Sequence, residues 1–369
     1  MLLHYSSRLR FLKPSLANKQ PALADSVCDA PHLELFEHRL AGVFSSKGPI
    51  HVSTPDVSKY KIIIMLVVAA LGGNALLQRG EPLTAQVQRE NVKVAARALA
   101  QIVRAGHQLV ITHGNGPQVG LLSLQAEAYN AAESYPLDVL GAQTAGMIGY
   151  LVEQELENAL QNSRPIATLL TQVVVDAADP AFLTPTKFIG PVYSQEEAEA
   201  RAAKAGWQIG QDGNKWRRVV ASPQPLDIPD LGVIRLLVEK NVVVICNGGG
   251  GIPVVRDANN GLQGIEAVID KDLSSAFLAK QLGADALLLL TDVEAVYHSF
   301  GTPEAQPLST LTAAESNALN LPAGSMGPKI KAACIFAESG GFSAIGRLSE
   351  ALALLAGQAG THIVSELVD

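Results

Sequence analysis

Short apolar runs, glycine-rich turns and amphipathic stretches alternate along the chain from Met65 onward. The first apolar run ends at Leu71 and leads into Gly72-Gly73-Asn74. Apolar residues then recur near helical spacing over 87–103, and Gly106 follows as a helix stop signal. This order predicts a strand, a tight turn and an amphipathic helix, and it returns further along the chain.

Four further apolar runs have the length and composition of buried strands. They cover residues 109–112, 166–170, 242–246 and 286–290. Strands that are apolar throughout are typical of a parallel sheet that helices cover on both faces. The pattern therefore predicts an α/β fold with a mostly parallel central sheet.

Residues 1–64 do not follow this pattern. Arg8, Arg10, Lys13 and Lys19 occur there before any acidic residue. A basic, acid-poor start is typical of an organellar targeting sequence, and a flexible tail is a second interpretation. The lack of core periodicity favours a third, an N-terminal extension outside the fold, which is then predicted to begin at Met65.

Residues 176–225 interrupt the alternation of strands and helices. The segment is rich in proline and carries Trp207 and Trp216. Asp212-Gly213-Asn214 stands between two short runs and predicts a hairpin. An insertion of this kind above an open sheet is a candidate lid over a ligand site.

Three glycine-rich turns follow predicted strands. They are Gly72-Gly73-Asn74, Gly114-Asn115-Gly116 and the run 248–251. In an open α/β sheet, ligands bind beyond the carboxyl ends of the strands, where such turns expose backbone N–H groups. Any one turn could serve chain geometry alone, but three of them favour an anion-binding site.

Three lysines stand in unusual settings. Lys271 lies between Asp270 and Asp272 after an apolar run, Lys187 lies in P-T-K-F-I-G-P, and Lys329 follows a proline. That proline suits the first position of a helix, where a cation opposes the helix dipole and an anionic ligand would compensate it. Solvated surface charges are the plainer alternative, but ammonium groups and glycine turns together predict a phosphate ligand.

Motifs and charge exclude several ligand classes. No G-x-x-x-x-G-K string followed by Ser or Thr occurs, so a Walker A loop is absent. Gly114, Gly116 and Gly120 resemble a dinucleotide fingerprint, but residues 134–140 read as a proline-interrupted loop and supply no second strand ending in an acid. The net charge of −7 argues against a nucleic-acid partner.

The cysteines and the apolar runs set further limits. Cys28, Cys246 and Cys334 are isolated, so neither a disulfide framework nor a zinc site is predicted, and a reducing cytoplasm is expected. The longest apolar runs fall far short of the roughly 20 residues that span a bilayer. No membrane partner is expected, which leaves small molecules as ligands.

The motifs also occur in an order that resembles a known family. The strings are A-L-G-G-N-A-L (70–76), T-H-G-N-G-P-Q-V-G (112–120), P-T-K-F-I-G-P-V-Y (185–193), W-R-R-V-V-A-S-P-Q-P (216–225), N-G-G-G-G-I-P-V (247–254), E-A-V-I-D-K-D-L (266–273) and G-S-M-G-P-K (324–329). As a set they resemble the carbamate kinases of the amino-acid kinase family, from about residue 65 to the C-terminus. The second and sixth strings are the most diagnostic.

The resemblance implies a homodimeric αβα sandwich with two lobes. Residues 65–235, with the lid insertion 176–225, would bind carbamate or carbamoyl phosphate. Residues 236–369 would bind ATP or ADP, with Mg²⁺ carried by the nucleotide and no metal ligand assigned to the protein. The sequence departs from the common pattern at Phe188, Val192, Asn214-Lys215 and Gln224, all within the insertion.

Each expected site residue is taken from a matching motif or a glycine-rich turn. The expected catalytic residues are Lys187, Lys271, Asp272 and Lys329. The expected substrate-binding residues are Gly72, Gly73, Asn74, Gly114, Asn115 and Gly116. The expected nucleotide-binding residues are Gly248, Gly249, Asp270, Thr291, Asp292, Tyr297, Met326 and Gly327.

The implied reaction is ATP + carbamate ⇌ ADP + carbamoyl phosphate, with ATP synthesis as the expected physiological direction. Carbamate is already an oxyanion, so the chemistry needs positive charge rather than a general base. A related kinase for N-acylated amino acids would need an arginine in the N-terminal turns, and none is present. A nucleotide sensor without catalysis would be expected to lose a lysine. The pathway that supplies carbamoyl phosphate, whether from arginine or another nitrogen compound, stays open.

Overall fold

A computed structural model of the chain describes residues 64–365, with gaps at 79, 131–132 and 320–325. The predicted N-terminal extension, apart from residue 64, lies outside the described residues. The same holds for Gly324 and Ser325 of the G-S-M-G-P-K motif and for the side chain of Asn74.

Strands and helices alternate through most of the described chain. The strands are β1 (Leu66–Leu71), β2 (Gln108–His113), β3 (Ile166–Thr168), β4 (Gln172–Val174), β5 (Lys187–Tyr193), β6 (Gln208–Asp212), β7 (Lys215–Val220), β8 (Val243–Ile245), β9 (Ile252–Arg256), β10 (Leu262–Gly264), β11 (Ala286–Thr291), β12 (Val296–His298), β13 (Gln306–Leu308), β14 (Thr310–Thr312), β15 (Phe342–Arg347) and β16 (Thr361–Val364). The helices are α1 (Ala85–Arg104), α2 (Gly116–Tyr129), α3 (Leu137–Leu160), α4 (Gln195–Ala205), α5 (Leu231–Glu239), α6 (Lys271–Leu282), α7 (Ala313–Ala318), α8 (Met326–Glu338) and α9 (Ala351–Leu355).

Eight strands form the central sheet in the order β14-β16-β15-β11-β1-β2-β8-β3. Neighbouring strands are parallel except for β15 and β16. Val68 and Ala70 of β1 pack into a hydrophobic cluster with α6 and α8, whereas Val67 and Ala69 pack on the other face with α1 and α3. The predicted α/β fold, with a mostly parallel sheet between two helical layers, is confirmed.

Local capping signals set the bounds of the first helix. The Thr84 hydroxyl accepts from the Val87 amide at 3.3 Å and caps the start of α1. Gly106 takes a φ of +94° just beyond the last turn, a conformation that glycine adopts without steric cost. None of the described helices is both long and apolar enough to cross a membrane.

Two helices start elsewhere than the sequence pattern predicts. Leu137 begins α3 directly after Pro136, so the proline-interrupted loop predicted over 134–140 is wrong beyond that proline. A proline before or within the first turn removes no intrahelical hydrogen bond, because the first N–H groups of a helix have no partner within it. The helix α8 begins at Met326, so Pro328 is its third residue, whereas the sequence predicted this proline at the first position. The helix tolerates Pro328 there because the N–H of its third residue also has no partner within the helix.

The insertion forms a separate three-stranded antiparallel sheet in the order β5-β7-β6. Gly213 has a φ of +64° in the predicted hairpin, which is confirmed. Ile189 and Val220 are buried against α2 and α3. A Cβ added to Gly120 of α2 would lie only 2.1 Å from the Cα of Gly190. The part of the insertion around Ile189, Gly190 and Val220 is therefore closely packed on α2 and α3. The role of the insertion as a lid stays a prediction.

The predicted boundary between two lobes, at residues 235 and 236, also stays a prediction. β8 follows that boundary in sequence, but it pairs with β2 and β3, which precede it. β1 and β11 come from opposite sides of the boundary and are direct neighbours in the sheet. The central sheet thus runs through both predicted lobes without a break.

Candidate active site

The glycine turns that follow β1 and β2 lie side by side. These strands are parallel neighbours, so their carboxyl ends reach the same edge of the sheet. The Gly72 amide donates to the Leu290 carbonyl at 3.0 Å, and the Gly114 amide donates to the Leu71 carbonyl at 3.3 Å. A Cβ added to Gly114 would lie 4.0 Å from the Gly73 amide nitrogen. The two predicted substrate-binding turns are therefore adjacent.

Asp270 fixes the start of α6 beside these turns. Its Oδ1 accepts from the amides of Asp272 at 2.9 Å and Leu273 at 3.2 Å, which makes it the N-cap of the helix. The stem of Lys271 then runs past Gly114, where an added Cβ would lie 3.3 Å from the lysine Cδ. The helix start thus places the first residues of α6 against the turn that follows β2.

A hydroxyl pair ties the same helix to the neighbouring strand. The Thr112 and Ser275 hydroxyls lie 2.6 Å apart, and the Ser275 hydroxyl donates to the Lys271 carbonyl at 2.6 Å. Thr112 and Ser275 are both fully buried. These hydrogen bonds hold the first turn of α6 in register with the end of β2.

Asp272 holds two lysines from different helices. It accepts from the Lys271 ammonium and, at 3.1 Å, from the Lys329 ammonium, which reaches it from α8. Asp272 and Lys329 are only 3% and 6% exposed, so the surface-charge alternative fails for both. Burial alone would raise the pKa of Asp272, but the two ammonium groups outweigh it and hold that pKa at about 2. Burial lowers the pKa of Lys271, and Asp272 opposes this shift.

Lys187 adds a third ammonium group from the insertion. It lies at the start of β5 and contacts Oδ2 of Asp270 at 2.5 Å. The predicted catalytic residues are therefore brought together around two aspartates. We call Lys187, Asp270, Lys271, Asp272 and Lys329 the lysine–aspartate cluster.

The glycine run after β8 packs on the turn after β2. A Cβ on Gly248 would lie 2.7 Å from Cε1 and Nε2 of His113, and one on Gly249 would lie 2.3 Å from Nδ2 of Asn115. Gly248 and Gly249, predicted to bind nucleotide, are thus buried beside the predicted substrate-binding residues. Asn115 also donates to the Thr144 hydroxyl at 2.8 Å. The sequence analysis missed His113, although the T-H-G-N-G-P-Q-V-G motif contains it.

The other predicted nucleotide-binding residues lie in three places. Thr291 ends β11, and its Cα lies 3.7 Å from the position of a Cβ on Gly72, so it shares the sheet edge with the glycine turns. Its hydroxyl donates to Asp292 at 3.0 Å. Tyr297 lies on β12 and donates to Glu294. Met326 and Gly327 form the start of α8, one turn before Lys329.

Metal ligands are scarce at this site. The described part of the chain contains no group of three His, Cys, Asp or Glu side chains that could hold a metal ion. Asp270 uses one oxygen for its helix cap and the other for Lys187, and Asp272 accepts from two ammonium groups. The ammonium groups of the cluster are suited to bind phosphate oxygens directly.

Comparisons with known proteins agree with this geometry. A model of the amino acid kinase family matches residues 65–345. The carbamate kinase of Rhizobium meliloti (strain 1021) is 55% identical over 308 residues, which are 83% of this chain and 95% of the relative. That of Haemophilus influenzae is 52% identical over 303 residues, 82% of this chain and 97% of the relative.

A solved structure extends the similarity to the fold. Carbamate kinase from Giardia lamblia bound to AMP-PNP has 42% sequence identity and a TM-score of 0.75, over 82% of this chain and 99% of that one. The chain belongs to the amino acid kinase family and, within it, to the carbamate kinases.

Proposed function

We propose that the chain transfers a phosphoryl group reversibly between ATP and carbamate, ATP + carbamate ⇌ ADP + carbamoyl phosphate. The observation that carries the proposal is the buried Lys271, Asp272 and Lys329 arrangement beside the turns at Gly73 and Gly114. Ammonium groups and backbone N–H groups at one sheet edge favour phosphate and carboxylate ligands. Similarity to carbamate kinases over 83% of the chain supports this reaction class.

Asp272 is unsuited to act as a general base. Its pKa is held at about 2, and its oxygens already accept from two ammonium groups. Carbamate brings its own negative oxygen to the phosphorus, so no proton has to be removed. Asp272 therefore orients Lys271 and Lys329, whose positive charge stabilises the phosphoryl group as it is transferred.

Magnesium fits this proposal as a partner of the nucleotide phosphates. Bound with them, Mg²⁺ neutralises charge on the β- and γ-phosphoryl oxygens. The cluster supplies the remaining positive charge from the protein side. Lys187 contributes from the insertion, and the amides of Gly73 and Asn115 are suitable donors for the carbamate or carbamoyl group.

A larger acceptor, such as an N-acylated amino acid, suits these turns less well. Its second carboxylate would call for an arginine, and residues 70–76 and 112–120 contain none. A nucleotide sensor without catalysis is also disfavoured, because all three lysines are present.

A coupled assay for ATP formation from carbamoyl phosphate and ADP tests the function. We expect turnover that requires Mg²⁺ and stops with EDTA, and no phosphorylation of N-acetylglutamate, glutamate or aspartate by ATP. Lys271→Ala should abolish the activity, whereas Lys240→Ala, at an exposed position after α5, should not. Equal or better activity with any of these amino acids would remove the carbamate assignment.

Three further properties belong to this proposal. A homodimer and ATP synthesis as the physiological direction rest on the resemblance to carbamate kinases. A cytoplasmic location rests on the isolated cysteines, of which Cys246 and Cys334 are free thiols. Light scattering, growth-dependent carbamoyl phosphate levels and cell fractionation test them in turn.

A further inference from the structure

His113 lies at the edge of the proposed site, and the chemistry above gives it no role. It is the last residue of β2 and is only 1% exposed. Its Nδ1 lies 3.0 Å from the carbonyl oxygen of Gly114. A carbonyl oxygen can only accept a hydrogen bond, so Nδ1 must carry the proton. This bond fixes both the tautomer of the ring and the direction of the Gly114 carbonyl.

The peptide that His113 holds has its N–H on the opposite side. The described residues contain no cis peptide bond, and in a trans peptide the C=O and N–H groups point in opposite directions. The N–H of this peptide belongs to Asn115, and within the described chain it donates to no other group. The Gly73 amide on the neighbouring turn is likewise without an acceptor there.

We propose that His113 is a positioning residue, which turns the Gly114–Asn115 peptide so that the Asn115 N–H donates to an oxygen of carbamate or carbamoyl phosphate. The inference rests on the proposed function and adds a residue to it. Lys271 passes on one side of Gly114 and the Gly73 amide lies on the neighbouring turn, so the peptide borders the place where an oxyanion would sit. A donor that is already oriented costs no reorganisation when the substrate binds.

The surroundings of the ring keep it neutral and in place. Burial lowers the pKa of His113 to about 4, and the nearby Lys271 ammonium acts in the same direction, whereas the bond to Gly114 opposes them. The His113 ring packs against Gly248, where the absence of a side chain is required, because a Cβ there would collide with Cε1 and Nε2 of the ring. A protonated ring would add a cation beside Lys271, so neutrality leaves the positive charge to the lysines.

Three substitutions separate the hydrogen bond from the packing of the ring. His113→Asn keeps an N–H donor near the place of Nδ1, His113→Gln moves the donor toward the place of Nε2, and His113→Leu removes it. We expect kcat/KM for carbamoyl phosphate to fall roughly 10- to 100-fold in the Leu and Gln variants and to recover largely in the Asn variant. ADP affinity, measured by calorimetry, should stay within about twofold in all three.

A histidine outside the site serves as the control. His107 accepts from the Met65 amide through Nδ1 at 3.2 Å, so it carries the opposite tautomer. His107→Gln should leave KM for carbamoyl phosphate unchanged. Wild-type kinetics in His113→Leu, or an equal loss in the Asn and Leu variants, would overturn the proposal.

If the variants do not fold, the tautomer of the His113 ring can be measured in the unaltered protein. Nitrogen NMR of the histidine rings should show the Nδ1–H form for His113 at pH 7 and the Nε2–H form for His107. An Nε2–H form at His113 would overturn the proposal. If the wild-type protein has no activity with carbamoyl phosphate, the proposed function fails. The ring tautomer still reports on the hydrogen bond from His113 to the Gly114 carbonyl.

Discussion

Asp272→Asn is the sharpest test of the lysine–aspartate cluster, because it removes a charge and leaves the volume nearly unchanged. The carboxylate has its pKa lowered from 3.8 to about 2. One pKa unit corresponds to about 1.4 kcal/mol, so the two ammonium groups stabilise the buried carboxylate by about 2 kcal/mol beyond its desolvation cost. The same interaction holds Lys271 and Lys329 in place. That free energy describes the ion pairs of the resting site. The loss in kcat follows instead from displacement of Lys271 and Lys329 from the phosphoryl group being transferred, and we expect it to be roughly 100-fold.

The pH profile gives this variant a second readout. Asp272 raises the pKa of Lys271 against the effect of burial. Without the carboxylate the ammonium loses its proton at lower pH, so the alkaline fall of kcat should move to lower pH. Asp227→Asn is the matched control, because Asp227 pairs with Arg256 at 2.8 Å on the surface, where such pairs contribute little. Wild-type kcat together with an unmoved alkaline limb in Asp272→Asn would refute the role given to this charge.

Three more outcomes are expected. Because the pKa of Asp272 is depressed, this carboxylate contributes stability that is present above its unfolded pKa of 3.8 and is lost as the pH falls toward about 2. The melting temperature of the wild type should therefore drop across that pH window, and that of Asp272→Asn should drop less. Equal acid sensitivity of the two proteins would contradict the ion-pair account. Lys187→Ala should lower kcat and carbamoyl phosphate affinity with little effect on ADP, whereas Lys329→Ala, on α8, should also weaken ADP in calorimetric titration; the division of roles is wrong if Lys187→Ala weakens ADP at least as much. Gly120→Ala would place a Cβ 2.1 Å from the backbone of the insertion and should lower the melting temperature by several degrees. Gly141→Ala, where a Cβ has nothing within 4 Å, should leave the melting temperature unchanged. An unchanged melting temperature in Gly120→Ala would show that the insertion can move away from α2.

The sequence predicted the parts of the molecule that depend on local pattern. Strands such as 286–290 are apolar throughout because both faces are buried, and that signal needs no knowledge of the rest of the chain. Gly106 marked a helix end for a purely local steric reason. The sequence also singled out the three lysines of the lysine–aspartate cluster, since each stands in a distinctive short motif.

What the sequence could not give depends on contacts between distant residues. Lys187 and Asp270 are 83 positions apart, and nothing local shows that they pair. The burial of Lys329 follows from Asp272, which supplies the compensating charge from another helix. The role of His113 depends on one peptide orientation, which no side-chain pattern records. The insertion of β8 between β2 and β3 is likewise set by the sheet as a whole.

The internal pairing of the lysine–aspartate cluster bears on how the protein releases its products. Three ammonium groups and two carboxylates leave a net charge of +1 before any ligand enters. An unpaired trio of ammonium groups would hold a phosphate-bearing product much more tightly, because Coulomb attraction in a buried site is weakly screened. We expect the aspartates to keep the affinities for ATP, ADP and carbamoyl phosphate moderate. Moderate binding on both sides of the equilibrium lets the reaction run in either direction as substrate levels change.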